Sequence, residues 1–247
     1  MGCSSGPDII QDGLVLSVDA ASKRSYAGSG TSWKNLVDGE NGVLTNAPTF
    51  SSNNGGRFSF DSNEYCEFAE NEKYNFQPTR PFSVFCWMIK SGGSGAVLAN
   101  MNSSSPYQGW DIWNQNSSHI AMHFISSWSG NAIKIEVDYT LNSNKIIYFG
   151  YTYDGSCPVN SAADSLNSVN FYVDGELYTN GKAIAGASGF DSASETISYP
   201  AGQKFRIGSR YTTGHGASSL FAVHIYNKAL TANEVRQNYL STKERFA

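Results

Sequence analysis

Short apolar strands recur along the whole chain at close intervals, and this recurrence limits what it can fold into. Leu14–Asp19, Phe58–Phe60, Tyr65–Phe68, Phe82–Ile89 and Ala96–Ala99 open the series. Gly109–Trp113, Ile120–Ile125, Ile133–Val137, Ile146–Thr152 and Val169–Val173 continue it. Leu177–Thr179, Thr196–Ser198, Phe205–Ile207 and Ser219–Tyr226 close it. Polar turns such as Ser91-Gly92-Gly93-Ser94-Gly95 separate them. Regular short strands with turn signals predict an all-β sandwich or barrel. The clearest hairpin is Asn170–Tyr178, because Asp174-Gly175 suits a two-residue turn with positive φ. In Ser219–Tyr226, the two-residue period places Phe221, Val223 and Ile225 on an inward face and His224 and Tyr226 on the other. One helix is expected. Thr231-Ala232-Asn233-Glu234 has capping-box spacing, and Val235 and Tyr239 follow four apart.

Composition agrees. Charged residues make up 15% of the 247 positions, aromatics 13%, and there are 24 glycines. Helices favour Ala, Leu, Glu and Lys, whereas this mixture suits strands and turns. A net charge of −4 without basic clusters argues against a nucleic-acid partner. No apolar run reaches the ~20 residues that span a bilayer, so no membrane partner is expected. Met1-Gly2-Cys3-Ser4-Ser5-Gly6 lacks the basic and apolar regions of a secretory signal. It also lacks the Ser or Thr of a myristoylation site. The four cysteines, Cys3, Cys66, Cys86 and Cys157, have no zinc-site spacing. Cys66 and Cys86 fall in apolar strands, as reduced, buried thiols would. A reducing cytoplasm suits such a chain, although a Cys66–Cys86 bridge stays open if those strands are neighbours.

Several blocks carry a family resemblance. Asp12–Ser22, followed by Ser25–Trp33, Gly42–Phe50 and Phe58-Ser59-Phe60-Asp61, is similar to the opening of laminin-G-like, concanavalin-A-type lectin domains. The variety it resembles is common in virion proteins of tailed bacteriophages. Phe82–Ile89 looks like that family's central strand, Tyr151–Ser156 its Tyr-Asp-Gly turn and Asn170–Gly175 its Tyr-Val-Asp-Gly hairpin. Phe205–Ser209 resembles its Ile-Gly strand end, and Ile225–Val235 its closing strand and short helix. In order, these blocks cover most of residues 12–236. The resemblance implies a two-sheet antiparallel jelly-roll sandwich with one short C-terminal helix, an N-terminal arm at residues 1–12 and one domain at residues 13–247. Members bind glycans or proteins, some with Ca²⁺, and a minority of the wider superfamily are glycoside hydrolases. Fold alone does not choose among these.

A glycosidase needs two carboxylates flanking the scissile bond. The superfamily's glucanases, as the resemblance has it, supply them from one strand as Glu-x-Asp-x-Glu. Here Glu136 and Asp138 share a face, but the third position is Thr140. A solvated strand face accounts for the pair, and no enzyme is expected. Sugar sites combine an aromatic platform with amides and hydroxyls that orient the ring. The densest such run is Tyr107–Asn116, followed by His119, His123 and Trp128. The candidate ligand-binding set is therefore Tyr107, Gln108, Trp110, Trp113, Asn114, Asn116, His119 and Trp128. Strand alternation puts Trp110 and Ile112 on one face and Asp111 and Trp113 on the other, so one tryptophan fills the core. His119 and His123 share a face flanking Ala121, as ordinary sheet residues do. Ca²⁺ would need loop oxygens. Asp19, Asp61, Asp154 and Asp174 sit at strand ends but are equally turn-formers. No cofactor is expected and no metal site is assigned.

The functional expectation is a non-enzymatic phage virion surface protein. It would be made in the host cytoplasm and displayed as a capsid decoration or head-surface lectin-like module. Its partners would be other virion proteins, with host-surface glycans as further ligands, and a homo-oligomer stays open. The alternative is a receptor-binding tail protein recognising host glycans. A glycoside hydrolase is the remote third reading.

Overall fold

A computed structural model describes residues 8–61, 63–140, 145–211, 214–216 and 218–246. The strands run in chain order as β1 (Leu14–Asp19), β2 (Ser32–Lys34), β3 (Asn41–Thr45), β4 (Thr49–Ser51), β5 (Arg57–Phe60) and β6 (Tyr65–Glu67). Next come β7 (Phe82–Ile89), β8 (Gly95–Met101), β9 (Gly109–Asn114), β10 (His119–Ile125), β11 (Ala132–Asp138) and β12 (Ile146–Tyr153). Helix α1 (Ala162–Ser168) precedes β13 (Val169–Val173), β14 (Glu176–Tyr178), β15 (Ala183–Gly189), β16 (Arg206–Ile207) and β17 (Ser218–Tyr226). Helix α2 (Ala232–Phe246) follows.

Among the described residues these strands form two antiparallel sheets, the jelly-roll-like sandwich expected from the sequence. One has eight strands, ordered β14-β13-β12-β7-β17-β5-β4, with β1 also on β17. The other has nine, ordered β15-β11-β10-β9-β8-β16-β6-β3-β2. Between them lies an aromatic-rich core in which Phe82 stacks on Phe76 at 4.3 Å and Trp110 on Phe205 at 5.7 Å. Asp174 and Gly175 have φ of 51° and 81°, the double positive turn expected for β13–β14. A side chain at residue 175 would also meet Tyr239 Cβ at 2.9 Å, so glycine is required twice over.

The two sheets differ in how their outer faces are treated. Helix α2 lies on the eight-stranded sheet. Trp87 stacks on Tyr239 and Phe246 at 5.6 and 5.1 Å, and its Nε1 donates to Thr242 Oγ1 at 2.9 Å. Strand β7, Phe-Ser-Val-Phe-Cys-Trp-Met-Ile, is consequently buried at both parities up to its last residue. Among the described residues no helix covers the nine-stranded sheet, and β11, Ala-Ile-Lys-Ile-Glu-Val-Asp, alternates apolar with charged side chains.

Strands β2, β3, β4 and β15 are not placed by the sequence reading, and three further local differences have physical causes. A bulge between Leu220 and Ala222 shifts the register of β17, so Phe221 points outward against Phe246 at 5.6 Å while Val223 and Ile225 stay in the core. His224 and Tyr226 do take the opposite face, but α2 covers it and both are buried. Thr196–Ser198 is irregular. The Gln77 side-chain amide accepts from Ile197 N at 2.8 Å and donates to Ile197 O at 3.2 Å, replacing a strand partner. Helix α1 had no apolar period to betray it. It begins where Ser161 Oγ accepts from Asp164 N.

The capping box forms: Glu234 N donates to Thr231 Oγ1 and Thr231 N to Glu234 Oε2. Helix α2 then runs 15 residues, longer than the short helix expected. Of the arm at residues 1–12, residues 1–7 lie outside the described residues. The remainder runs along α2, with Ile10 N donating to Asn238 Oδ1 at 2.7 Å and Asp12 pairing with Lys228. Cys66, Cys86 and Cys157 are buried, free thiols, and Cys3 lies outside the described residues.

Candidate functional site

The uncovered face of the nine-stranded sheet carries the site. Register across β9, β10 and β11 aligns Asp111 with His123 and Lys134, and Trp113 with Ala121 and Glu136. Side chains of one parity therefore form two adjacent rows on one surface. Ala121 is small, so the second row dips between Trp113 and Glu136. A cleft of about 380 Å³ opens there, lined by Ser94, Trp113, Gln115, His123, Trp128 and Glu136, with Ala185 and Arg210 at its edge. That volume lies within the ~300–1,000 Å³ of small-molecule sites.

Beneath the cleft is a buried charge network. Asp111 has no exposed surface. Its Oδ1 is 2.8 Å from His123 Nδ1, while Oδ2 accepts from Arg210 Nε at 2.8 Å and pairs with Nη2 at 2.6 Å. Burial pushes the Asp111 carboxyl up, but Arg210 and His123 outweigh this and hold it below the ordinary carboxylate range. An anionic oxygen so close to Nδ1 demands the proton there, leaving Nε2 as the ring's remaining polar atom. Arg210 Nη2 also lies 3.1 Å from Nδ1. A protonated Nδ1 cannot accept from it, so that approach is a consequence of the shared carboxylate. The Arg210 backbone is fixed too, its carbonyl accepting from Arg206 Nη1 and Ser209 Oγ.

Aromatic rings wall the cleft. The Arg210 guanidinium covers one face of Trp113 at 4.1 Å, and Lys134 Nζ covers one face of Trp128 at 4.0 Å. Trp113 Nε1 donates to Ser94 Oγ at 3.1 Å. Tyr107 packs on Trp128 at 5.0 Å, and the His123 ring sits between Trp113 and Trp128 at 6.3 and 5.7 Å. Trp128 is 39% exposed.

The structure thus brings together Tyr107, Trp113 and Trp128 of the sequence-derived set. Trp110 does not join them. Its parity turns it into the core, where Nε1 donates to Tyr74 O at 2.8 Å. Asn114 shares that parity and is fully buried, donating to Ser218 Oγ and Ser91 Oγ. Asn116 Oδ1 caps its own turn by accepting from Ser118 N and His119 N. His119 shares the face of His123 but pairs with Asp138 at 3.1 Å on the neighbouring strand. The Gln108 carbonyl accepts from Asn102 N and Gln203 Nε2.

Arg210 is a site residue the sequence did not reveal, since it lies about a hundred positions from Asp111 and reaches it only through sheet order. Lys134 was legible only as part of the polar half of an alternating strand, and Glu136 only as a carboxylate beside Asp138, not as a cleft residue. Three of the strand-end aspartates are engaged by protein groups. Asp19 pairs with Arg245, Asp154 Oδ1 accepts from Ser156 N, and Asp174 Oδ1 accepts from Tyr148 N. Among the described residues no group of three or more His, Cys, Asp or Glu side chains could hold a metal ion.

No protein-family model matches this chain, and no curated protein is similar to it in sequence. Solved structures do share its fold. Trypanosoma rangeli sialidase in complex with sialic acid is 13% identical with a TM-score of 0.61, over 94% of this chain and 33% of that one. The binding domain of Paraclostridial Mosquitocidal Protein 1 is 16% identical with a TM-score of 0.62, over 92% and 52%. The botulinum neurotoxin type G receptor binding domain is 13% identical with a TM-score of 0.56, over 92% and 51%. At these identities the likeness is one of fold, a β-sandwich. The chain spans from a third to about half of these neighbours' lengths.

Proposed function

We propose that this chain is a non-catalytic glycan-binding module whose ligand sits in the cleft on the nine-stranded sheet. The observation that carries the reading is the pairing of two partly exposed tryptophans, Trp113 and Trp128, with polar groups held rigid from below. Each indole has one face against a cation, and the part of each ring that lines the cleft is available for the C–H face of a sugar ring to stack on. His123 and Glu136 offer acceptors, and Gln115 both acceptor and donor, for ring hydroxyls. Asp111 holds His123 and Arg210 in place, so little ordering is needed on binding. Neighbours with binding and receptor-binding domains of this fold are in keeping with the reading.

Binding without turnover is favoured by the carboxylates. Of the two beside the cleft, Asp111 is buried and committed to Arg210 and His123, so with Glu136 it does not form the open carboxylate pair that most glycoside hydrolases use. The resemblance of the ordered sequence blocks to laminin-G-like domains supports the finer reading, a capsid decoration protein of a tailed phage, with a tail receptor-binding protein as the alternative. A glycan array read with the wild type and with Trp113→Ala tests the module, and loss of all signal in the folded variant is the expected result. Signal retained at full strength would move the ligand elsewhere, and reducing ends released from a bound polysaccharide would make the chain an enzyme. Immunogold labelling of purified particles tests the location: dense labelling over the head is expected, sparse labelling at the tail tip supports the alternative, and none removes both.

A further inference from the structure

Trp128 divides two clefts. On its other side lies a second one of about 480 Å³, lined by Ser129, Gly130, Lys134, Asn160, Gly186 and Ser188 together with Trp128 itself. Its distinguishing group is Lys134, which is only 6% exposed. No carboxylate pairs with it among the described residues. Its ammonium donates to Trp128 O at 3.1 Å and rests on the Trp128 ring. The half-buried Lys182 and the buried Lys90 are better provided. Lys182 donates to two carbonyls at 2.5 Å, and Lys90 to Asn116 O and Ser91 O. An ammonium has three donors, and a buried cation without a counter-ion carries an uncompensated desolvation cost. That cost shows as a Lys134 amine held below its ordinary value by burial. Gly186 leaves the space free, for a side chain there would meet Lys134 Nζ at 3.0 Å.

The two clefts therefore differ in sign. The first presents the Glu136 carboxylate and the His123 ring, with the Arg210 charge at its edge offset by Asp111, and the second presents the Lys134 ammonium. We infer that the ligand is an acidic oligosaccharide that straddles Trp128, with an uncharged ring in the first cleft and a sugar-borne anion against Lys134 in the second. This rests on the glycan-binding reading and adds the ligand's charge and its direction along the sheet. A carboxylate and a sulfate share the required chemistry.

An array of neutral, carboxylated and sulfated oligosaccharides separates the possibilities, followed by titration of the best binder of each class. The wild type should prefer acidic over neutral members on the order of tenfold. Raising salt from about 0.05 to 0.5 M should erode that preference, because screening weakens charge pairing. Lys134→Met, which keeps the apolar stem, should reduce the acidic-to-neutral ratio toward one. The best binder within the acidic class identifies carboxylate or sulfate. Equal affinity for neutral and acidic members, or a preference that survives both Lys134→Met and salt, overturns the inference and leaves glycan binding standing. No binding to any member overturns both. Should the variant fail to fold, the salt series on the wild type decides alone, and an unchanged preference rejects the role of Lys134.

Discussion

Trp110 and Trp113 lie on one strand and have opposite fates, because an odd spacing sends them to opposite faces of the sheet. Trp110→Ala should cost ~3–5 kcal/mol by opening a cavity in an aromatic core, measured by urea denaturation. Trp113→Ala should leave the urea midpoint nearly unchanged while weakening glycan binding at least tenfold, or ~1.4 kcal/mol. Equal destabilisation by both would make Trp113 a structural residue. Asp111 has two expected consequences. Its folded-state carboxyl titrates below the ordinary value, so its contribution is complete above about pH 4 and is lost as pH falls through the lower folded value. Asp111→Asn should cost ~3–5 kcal/mol at neutral pH, since it leaves Arg210 buried without its partner. The same variant should flatten the acid limb of the stability profile, and an unchanged limb would assign acid unfolding to other carboxylates.

At the scale of elements, helix α2 is the part whose seat depends on pH. His224 lies beneath it, beside a cavity of about 210 Å³ shared with Asp19, Ser241, Thr242 and Arg245. His224 Nδ1 has no hydrogen-bond partner among the described residues, and burial, assisted by Arg245, pushes the ring down to about 4. The neutral ring is thus favoured in the fold, while the unfolded ring protonates near pH 6.5. Stability from this group is full above about pH 6.5 and declines as pH falls toward the folded value, by about 3 kcal/mol in all. Urea midpoints taken at pH 7 and at pH 5 should differ, and His224→Gln should shrink the difference. Equal midpoints in the wild type would refute the coupling. The N-terminus of the same helix offers an independent handle: Thr231→Ala removes the cap and should cost ~0.5–2 kcal/mol by thermal melt.

Across the whole molecule, stability comes from two sheets and one covering helix, with no cross-link among the described thiols. Burial pushes the Cys66 and Cys86 thiols well up, so neither is a ready nucleophile. In a Cys3→Ser background, a reductant should leave the melting temperature unchanged, and a thiol reagent should react only after denaturant is added. A structural disulfide would contribute ~2–4 kcal/mol, so a marked drop in reductant would contradict the free thiols.

Most strand positions, the Asp174-Gly175 turn and the cap at Thr231 were legible in the sequence because each depends on residues within a few positions of one another; β2, β3, β4 and β15 were not. Strand period alone also separated Trp110 from Trp113. Local pattern could not reveal that a bulge turns Phe221 outward, or that Gln77 serves as a strand partner for Ile197. Nor could it show that α2 covers one sheet and leaves the other face free. The site depends on that last fact. Asp111, His123, Lys134 and Arg210 meet because β9, β10 and β11 are adjacent and the loop after β16 returns over them, and sheet order is set by packing between distant segments. The sequence by itself determined most of the strands, most of their faces and the sandwich. Only the tertiary structure decided which face stayed open and which charges were buried together there, because burial and pairing are properties of neighbours that the chain brings in from far away.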